Sequence, residues 1–246
     1  MKIKQGFLKI LNIQRLVLFF ILALFTYWFS CTTRLSHRQK LYKVYEGCEK
    51  TFYCGCIYNH GRIDFDSCGY KPRKNNERSK RLEWEHIVPM STFGKHFSEW
   101  TNGHPSCVSS KGKKYQGRKC AGKVSSTYRK IEADPINIVP AVGEINADRS
   151  DYHYGKIAGE ERNYGKCDFE VHSGIAEPAE HIRGDIARIY YYMNEKYSGM
   201  NVLNEDNNIL FKQWNDSDPI SKEEIMRNES IYNVFGVYNR FVSDPR

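Results

Sequence analysis

Glu85 and His86, neighbours within Glu83-Trp84-Glu85-His86-Ile87-Val88-Pro89, place a carboxylate beside an imidazole. Such a pair can divide two tasks, the carboxylate holding a cation while the imidazole takes a proton from water. Phosphodiester hydrolysis needs both: a nucleophile in line with the leaving oxygen, and positive charge against the transition state. Taken alone the dipeptide proves little, because Trp84, Ile87 and Val88 read more readily as core residues flanked by two solvated polar neighbours. A second concentration of polar groups runs from Glu132 to Ser150, where acids and carboxamides alternate with the apolar pairs Ile138-Val139 and Ala141-Val142. A buried core segment would not gather so many polar groups without partners, and a disordered loop would not keep the apolar pairs, so the segment must use them.

Several elements must position these groups. Thr51 to Tyr58 and Arg62 to Phe65, separated by Asn59-His60-Gly61, read as a hairpin through their turn chemistry. Leu82 to Val88 reads as a short strand with His86 near its end, and Glu144 to Ser150, following Gly143, as the start of a helix. From Pro178 the residues Ala179, Ile182, Ile186, Ile189, Tyr190 and Met193 recur every three or four positions, an amphipathic helix whose Tyr190-Tyr191-Tyr192 run belongs to the core. Two more short helices are expected beyond Asn201, and Asp148 with Arg149 reads as a salt bridge at the helix start. The pattern is α+β, with no internal repeat and no linker to divide it, so a single domain is expected.

Residues 1–31 carry Lys2, Lys4, Lys9 and Arg15 but no acid, followed by an apolar run from Leu16 to Phe29. That run is short for a spanning helix and fits a secretory leader cleaved near Ser30 to Thr33, in preference to a retained anchor. Losing the leader brings the formal charge of +8 down to about +4, so distribution matters more than total. From Thr101 to Ile131 there are Lys111, Lys113, Lys114, Arg118, Lys119, Lys123, Arg129 and Lys130 with no acid, and Lys71 to Arg81 holds six bases against Glu77. Two basic stretches on either side of Glu85-His86 suit a phosphate-binding surface that fixes a backbone without reading bases. Eight cysteines behind a secretory leader read as disulfides; a zinc site using Cys54, Cys56 and Cys68 is the competing reading. Cys31 and Cys48 either pair with each other, or Cys31 leaves with the leader or is lipidated and Cys48 stays free; the poor lipoprotein box at Tyr27 to Ser30 argues against lipidation.

Phe52-Tyr53-Cys54-Gly55-Cys56, Ser67-Cys68-Gly69-Tyr70, Arg81 to Pro89, Gly117-Arg118-Lys119-Cys120 and Glu132 to Ser150 follow one another in an order and spacing that resembles bacterial endonuclease I, periplasmic and secreted nucleases of the ββα-metal (His-Me finger) group. The resemblance covers residues 48–242 and implies a disulfide-stabilised domain in which a ββα-metal motif is surrounded by helices. It implies bridges Cys54 to Cys167, Cys56 to Cys68 and Cys107 to Cys120. His86 takes the place of the general base, Glu85 and Asn146 of the ligands to one Mg²⁺ (Mn²⁺ being the alternative), and Arg118 of the phosphate-gripping arginine. Glu132 falls beside the metal, as structural support or as a ligand. The implied activity is nonspecific hydrolysis of DNA, and of RNA as well, to 5′-phosphate products by a monomer in the periplasm or outside the cell. A catalytically silent nucleic-acid-binding or uptake protein is the alternative, disfavoured because His86, Glu85 and Asn146 are all present. A disulfide-stabilised structural protein would explain the cysteines but not these three residues.

Overall fold

The computed structural model describes residues 35–74, 76–159 and 161–245, so the expected leader and Cys31 lie outside the described residues. The chain divides into two compact units at Gln39 and Lys40. The Ser36 hydroxyl accepts the Gln39 backbone N–H at 3.3 Å at the start of helix α1 (His37–Val44). Among the described residues no helix is long and apolar enough to cross a membrane.

The second unit mixes short strands with helices, the α+β class expected. Strands β1 (Tyr58–Asn59) and β2 (Arg62–Ile63) form the hairpin, turning through His60 and Gly61, both at positive φ. Its first strand is far shorter than expected. Cys54 is tied to Cys167 and Cys56 to Cys68, and Gly55 between them has φ +64° with its N–H on the Thr51 carbonyl, so residues 51–56 coil. These two bridges and Cys107 to Cys120 are the pairings the resemblance implied. They also rule out zinc ligation by Cys54, Cys56 and Cys68, whose sulfurs are all oxidised; Cys48 is an exposed free thiol.

Strand β3 (Leu82–His86) pairs antiparallel with β4 (Ile138–Val142), Leu82 opposite Val142 and His86 opposite Ile138. Helices α2 (Met90–Gly94), α3 (Ser98–Thr101), α4 (Arg118–Val124) and α5 (Ser126–Glu132) fill the connection between them. β3 ends two residues before Val88. Beyond His86 the Ile87 N–H turns to the Asn137 carbonyl, and the Asn137 carboxamide accepts from Val88 N–H at 2.7 Å and donates to its carbonyl at 3.0 Å. Every residue of β4 is buried, as a strand covered on both faces must be.

Helix α6 (Gly143–Arg149) follows β4 directly, and only glycine fits its first position, since a Cβ on Gly143 would lie 2.4 Å from the Arg78 carbonyl oxygen. Ser150, at φ +51°, ends it. Strands β5 (His153–Tyr154), β6 (Phe169–His172) and β7 (Ile175–Pro178) make a separate three-stranded sheet in the order β5-β7-β6. The predicted amphipathic helix starts later than its pattern, because Pro178 pairs with Phe169 in β7 and a 3₁₀ turn intervenes; α7 covers Arg183–Lys196. Tyr190 and Tyr192 are buried in the core and Tyr191 is half-buried, with Tyr190 tilted against Phe211 at 4.3 Å. The two C-terminal helices are α8 (Glu205–Ser217) and α9 (Lys222–Phe235), opened by Asn204 and Ser221 accepting backbone N–H groups.

Candidate active site

His86 is the last residue of β3. Its Nε2 lies 2.8 Å from the Glu132 carbonyl oxygen at the end of α5. A carbonyl only accepts, so Nε2 carries the proton and Nδ1 keeps its lone pair. Burial pushes the imidazole down to about 4, against the Glu132 carbonyl, which favours the protonated ring. At neutral pH the ring is an uncharged base of defined tautomer. The Glu132 carboxylate accepts Arg118 Nε at 2.7 Å, and more than half of the Arg118 side chain remains exposed. One residue thus orients His86 through its backbone and Arg118 through its side chain.

Glu85 faces inward. Its side chain is 5% exposed, and Oε1 accepts Arg149 Nη1 at 3.0 Å and the Tyr53 hydroxyl at 3.3 Å, while Oε2 accepts the His86 backbone N–H at 3.0 Å. Burial raises the Glu85 carboxyl above its usual range although Arg149 pulls the other way. Arg149 is wholly buried at the end of α6 and also donates to the carbonyls of His86 at 2.7 Å and Ile87 at 2.6 Å, its guanidinium 4.6 Å from the Tyr154 ring centroid. The helix is therefore bolted to β3 at the motif itself. The expected Asp148 to Arg149 pair does not form: adjacent helical residues point in different directions, and Asp148 instead binds Arg73 at 2.7 Å and Lys74 at 2.6 Å.

Asn146 is brought to Glu83, not to Glu85; its Nδ2 donates to Glu83 Oε2 at 2.9 Å. Glu83 is held in turn by Arg78 at 2.7 Å and Arg81 at 2.8 Å, and those two cations hold its carboxyl below the usual range against its partial burial. Most of the cations of the Lys71 to Arg81 stretch are thus anchored to carboxylates around α6, where Glu144 also accepts the backbone N–H groups of Arg73 and Lys74. The second stretch is displayed on α4 and on the loop before it, with Lys111, Lys113, Lys114 and Lys119 exposed.

A family model described as Endonuclease I matches residues 17–246. The chain belongs to the endonuclease I family. It is 35% identical over 250 residues to the protein named Endonuclease-1 of Buchnera aphidicola subsp. Acyrthosiphon pisum (strain APS), covering 98% of this chain and 93% of that one. A protein of Aeromonas hydrophila named periplasmic deoxyribonuclease is 37% identical over 83% of each chain. Another from the same organism, named extracellular deoxyribonuclease, is 36% identical over 83% of this chain and 85% of its own.

In this endonuclease I chain the described residues hold no group of three or more His, Cys, Asp or Glu side chains arranged to cage a metal. Mg²⁺ asks for less, one or two protein oxygens with substrate and water completing its shell. Of the two expected ligands, Glu85 keeps Oε2 with only the His86 N–H on it and Asn146 keeps Oδ1 without a donor among the described residues, but the hydrogen bond of Asn146 runs to Glu83, so the oxygens placed together on this side of α6 are those of Glu83 and Asn146. Sequence reasoning passed over Glu83 and Arg149. The first carried a signal, because residues two apart on a strand share a face and Glu83 therefore accompanies Glu85. For Arg149 no local signal exists, its partners lying more than 60 residues away.

Proposed function

We propose that the chain is a nonspecific, metal-dependent endonuclease of DNA and RNA, working as a monomer in the periplasm or outside the cell, with residues 48–242 as its nuclease domain and β3, β4 and α6 as a ββα-metal unit. The observation that carries this reading is geometric: Glu132 holds His86 Nε2 on its carbonyl at 2.8 Å and Arg118 Nε on its carboxylate at 2.7 Å, which puts a base of fixed tautomer and a phosphate-binding arginine on one residue. With Nε2–H committed to that carbonyl, Nδ1 takes a proton from water, and the resulting hydroxide attacks phosphorus in line with the 3′ oxygen. That oxygen leaves and the phosphate stays on the 5′ side. Arg118, fixed through Nε, keeps its terminal nitrogens for phosphate oxygens. Mg²⁺ or Mn²⁺ held by Glu85 and Asn146 would supply charge neutralisation at the leaving oxygen and on the phosphorane. The names of the Aeromonas relatives, one periplasmic and one extracellular, agree with the proposed compartment.

The test is digestion of supercoiled plasmid and of RNA by the purified protein, with Mg²⁺ and with EDTA. Both substrates should be degraded with metal and spared without it. His86→Ala should lower turnover by on the order of 10² or more with DNA affinity retained, because the ring activates water and grips no phosphate. Tight binding without degradation in the metal-loaded wild type would support the silent binding or uptake protein instead.

A further inference from the structure

We infer that a cavity between residues 102–105, just after α3, and residues 114–116 of the disulfide-closed basic loop is a subsite for one nucleobase of a single strand; this rests on the nuclease reading only for naming the strand. The cavity measures about 490 Å³, within the roughly 300–1,000 Å³ typical of small-molecule sites. Asn102, His104, Lys114, Tyr115 and Gln116 supply its chemistry, and no carboxylate lines it. A half-buried aromatic ring, two carboxamides, an imidazole and an ammonium suit a base with its phosphate: the ring offers stacking, the amides and imidazole reach the base edge, and the ammonium meets the charge.

The walls are built rather than incidental. The Tyr115 N–H donates to the Cys107 carbonyl at 2.9 Å, the Gly117 N–H donates to Trp100 at 3.0 Å, and Cys107 is bridged to Cys120. Gly103 sits at φ +79°, a conformation that favours glycine, and a Cβ there would press to 3.3 Å from the Tyr115 carbonyl oxygen, so the glycine eases the approach of the two walls. The Lys119 ammonium lies 5.0 Å from the Tyr115 ring centroid and helps hold the ring. His104 Nδ1 accepts the Ser106 backbone N–H at 3.2 Å and lies 2.7 Å from the Ser106 hydroxyl, so its Nε2 carries the proton and is a donor. Gln116 lies two residues before Arg118, a chain span of at most about 7 Å. The short chain span lets one strand meet both the cavity and Arg118.

The test compares two short strands of equal charge in EDTA, thymidine pentanucleotide and the same backbone with every base removed, by fluorescence anisotropy on the full chain. Wild type should prefer the strand with bases by roughly 5- to 150-fold, the range that stacking of one base gives. Tyr115→Ala should lower that ratio by at least about 5-fold, and Tyr115→Phe should preserve it. If Tyr115→Ala fails to fold, the paired change His104→Ala with Gln116→Ala serves in its place and should lower the ratio. A wild-type ratio near one, or a ratio untouched in folded Tyr115→Ala, overturns the subsite. Because no cleavage is measured, an inactive protein that kept the ratio would contradict the nuclease reading and leave the subsite standing.

Discussion

Replacing Arg149 by methionine tests whether the bolt between α6 and β3 holds the site together. Methionine keeps most of the unbranched stem but removes the donors to Glu85 Oε1 and to the carbonyls of His86 and Ile87. Breaking a buried pair by removing one partner costs about 3–5 kcal/mol, and two buried carbonyls losing a donor push toward the upper end. For a domain of this size about 1 kcal/mol moves Tm by roughly 2–4 °C, so a fall of roughly 6–20 °C is expected. Urea denaturation at pH 7 with disulfides intact gives the free energy directly. Glu85→Gln combined with Arg149→Met should cost less than the two single changes added together, because no carboxylate is then left stranded, and the coupling should fall at about 0.5–3 kcal/mol. A single change costing under about 1 kcal/mol, or strict additivity in the double variant, would refute the argument that Arg149 and Glu85 act as one buried unit.

The remaining predictions concern protons and thiols. Because burial lowers His86 to about 4, a proton bound by the unfolded chain below its ordinary 6.5 is refused by the fold, so stability should decline as pH falls from 6.5 toward 4; His86→Ala should remove that slope, and an NMR midpoint near 6.5 for the ring would contradict it. Burial and the charge of Glu224 push the Asp185 carboxyl well above its ordinary 3.8 against the pull of Arg188, 3.1 Å away, so the folded chain holds that proton more tightly than the unfolded chain as pH rises above 3.8. Stability should therefore fall as pH rises through that window, and equal pH profiles for wild type and Asp185→Asn would show that the carboxyl is ionised in the fold. Changing Cys107 and Cys120 to serine frees a loop whose ends are 13 residues apart, which should cost about 3 kcal/mol in the chain-entropy model and lower nucleic-acid affinity before the core melts. Unaltered affinity in that variant would take the basic loop out of the interface.

What the sequence made legible was local. The turn at His60-Gly61, the strand from Leu82 that carries His86, the helix after Gly143 and the burial of Tyr190 all follow from period, glycine placement and turn chemistry, and each appears in the fold. The resemblance supplied the three bridges, which spacing leaves open. Errors cluster where a distant group overrides a local preference: the 51–56 segment coils because its cysteines are pulled toward Cys68 and Cys167, and β3 stops early because Asn137 captures the backbone of Ile87 and Val88. Within the site, residue types were readable but pairings were not. Asn146 meets Glu83, Arg149 meets Glu85 and Asp148 meets Arg73, three contacts each spanning more than 60 residues.

The double use of Glu132 bears on how such a site tolerates mutation. Its hold on the His86 ring runs through a main-chain oxygen that every amino acid possesses, whereas its hold on Arg118 runs through a carboxylate that few substitutions preserve. Sequence drift at position 132 can therefore retune the arginine, and with it the grip on substrate, without disturbing the tautomer of the base. The two functions occupy one residue yet are genetically separable, so variation there would tend to yield nucleases of altered affinity sooner than inert ones.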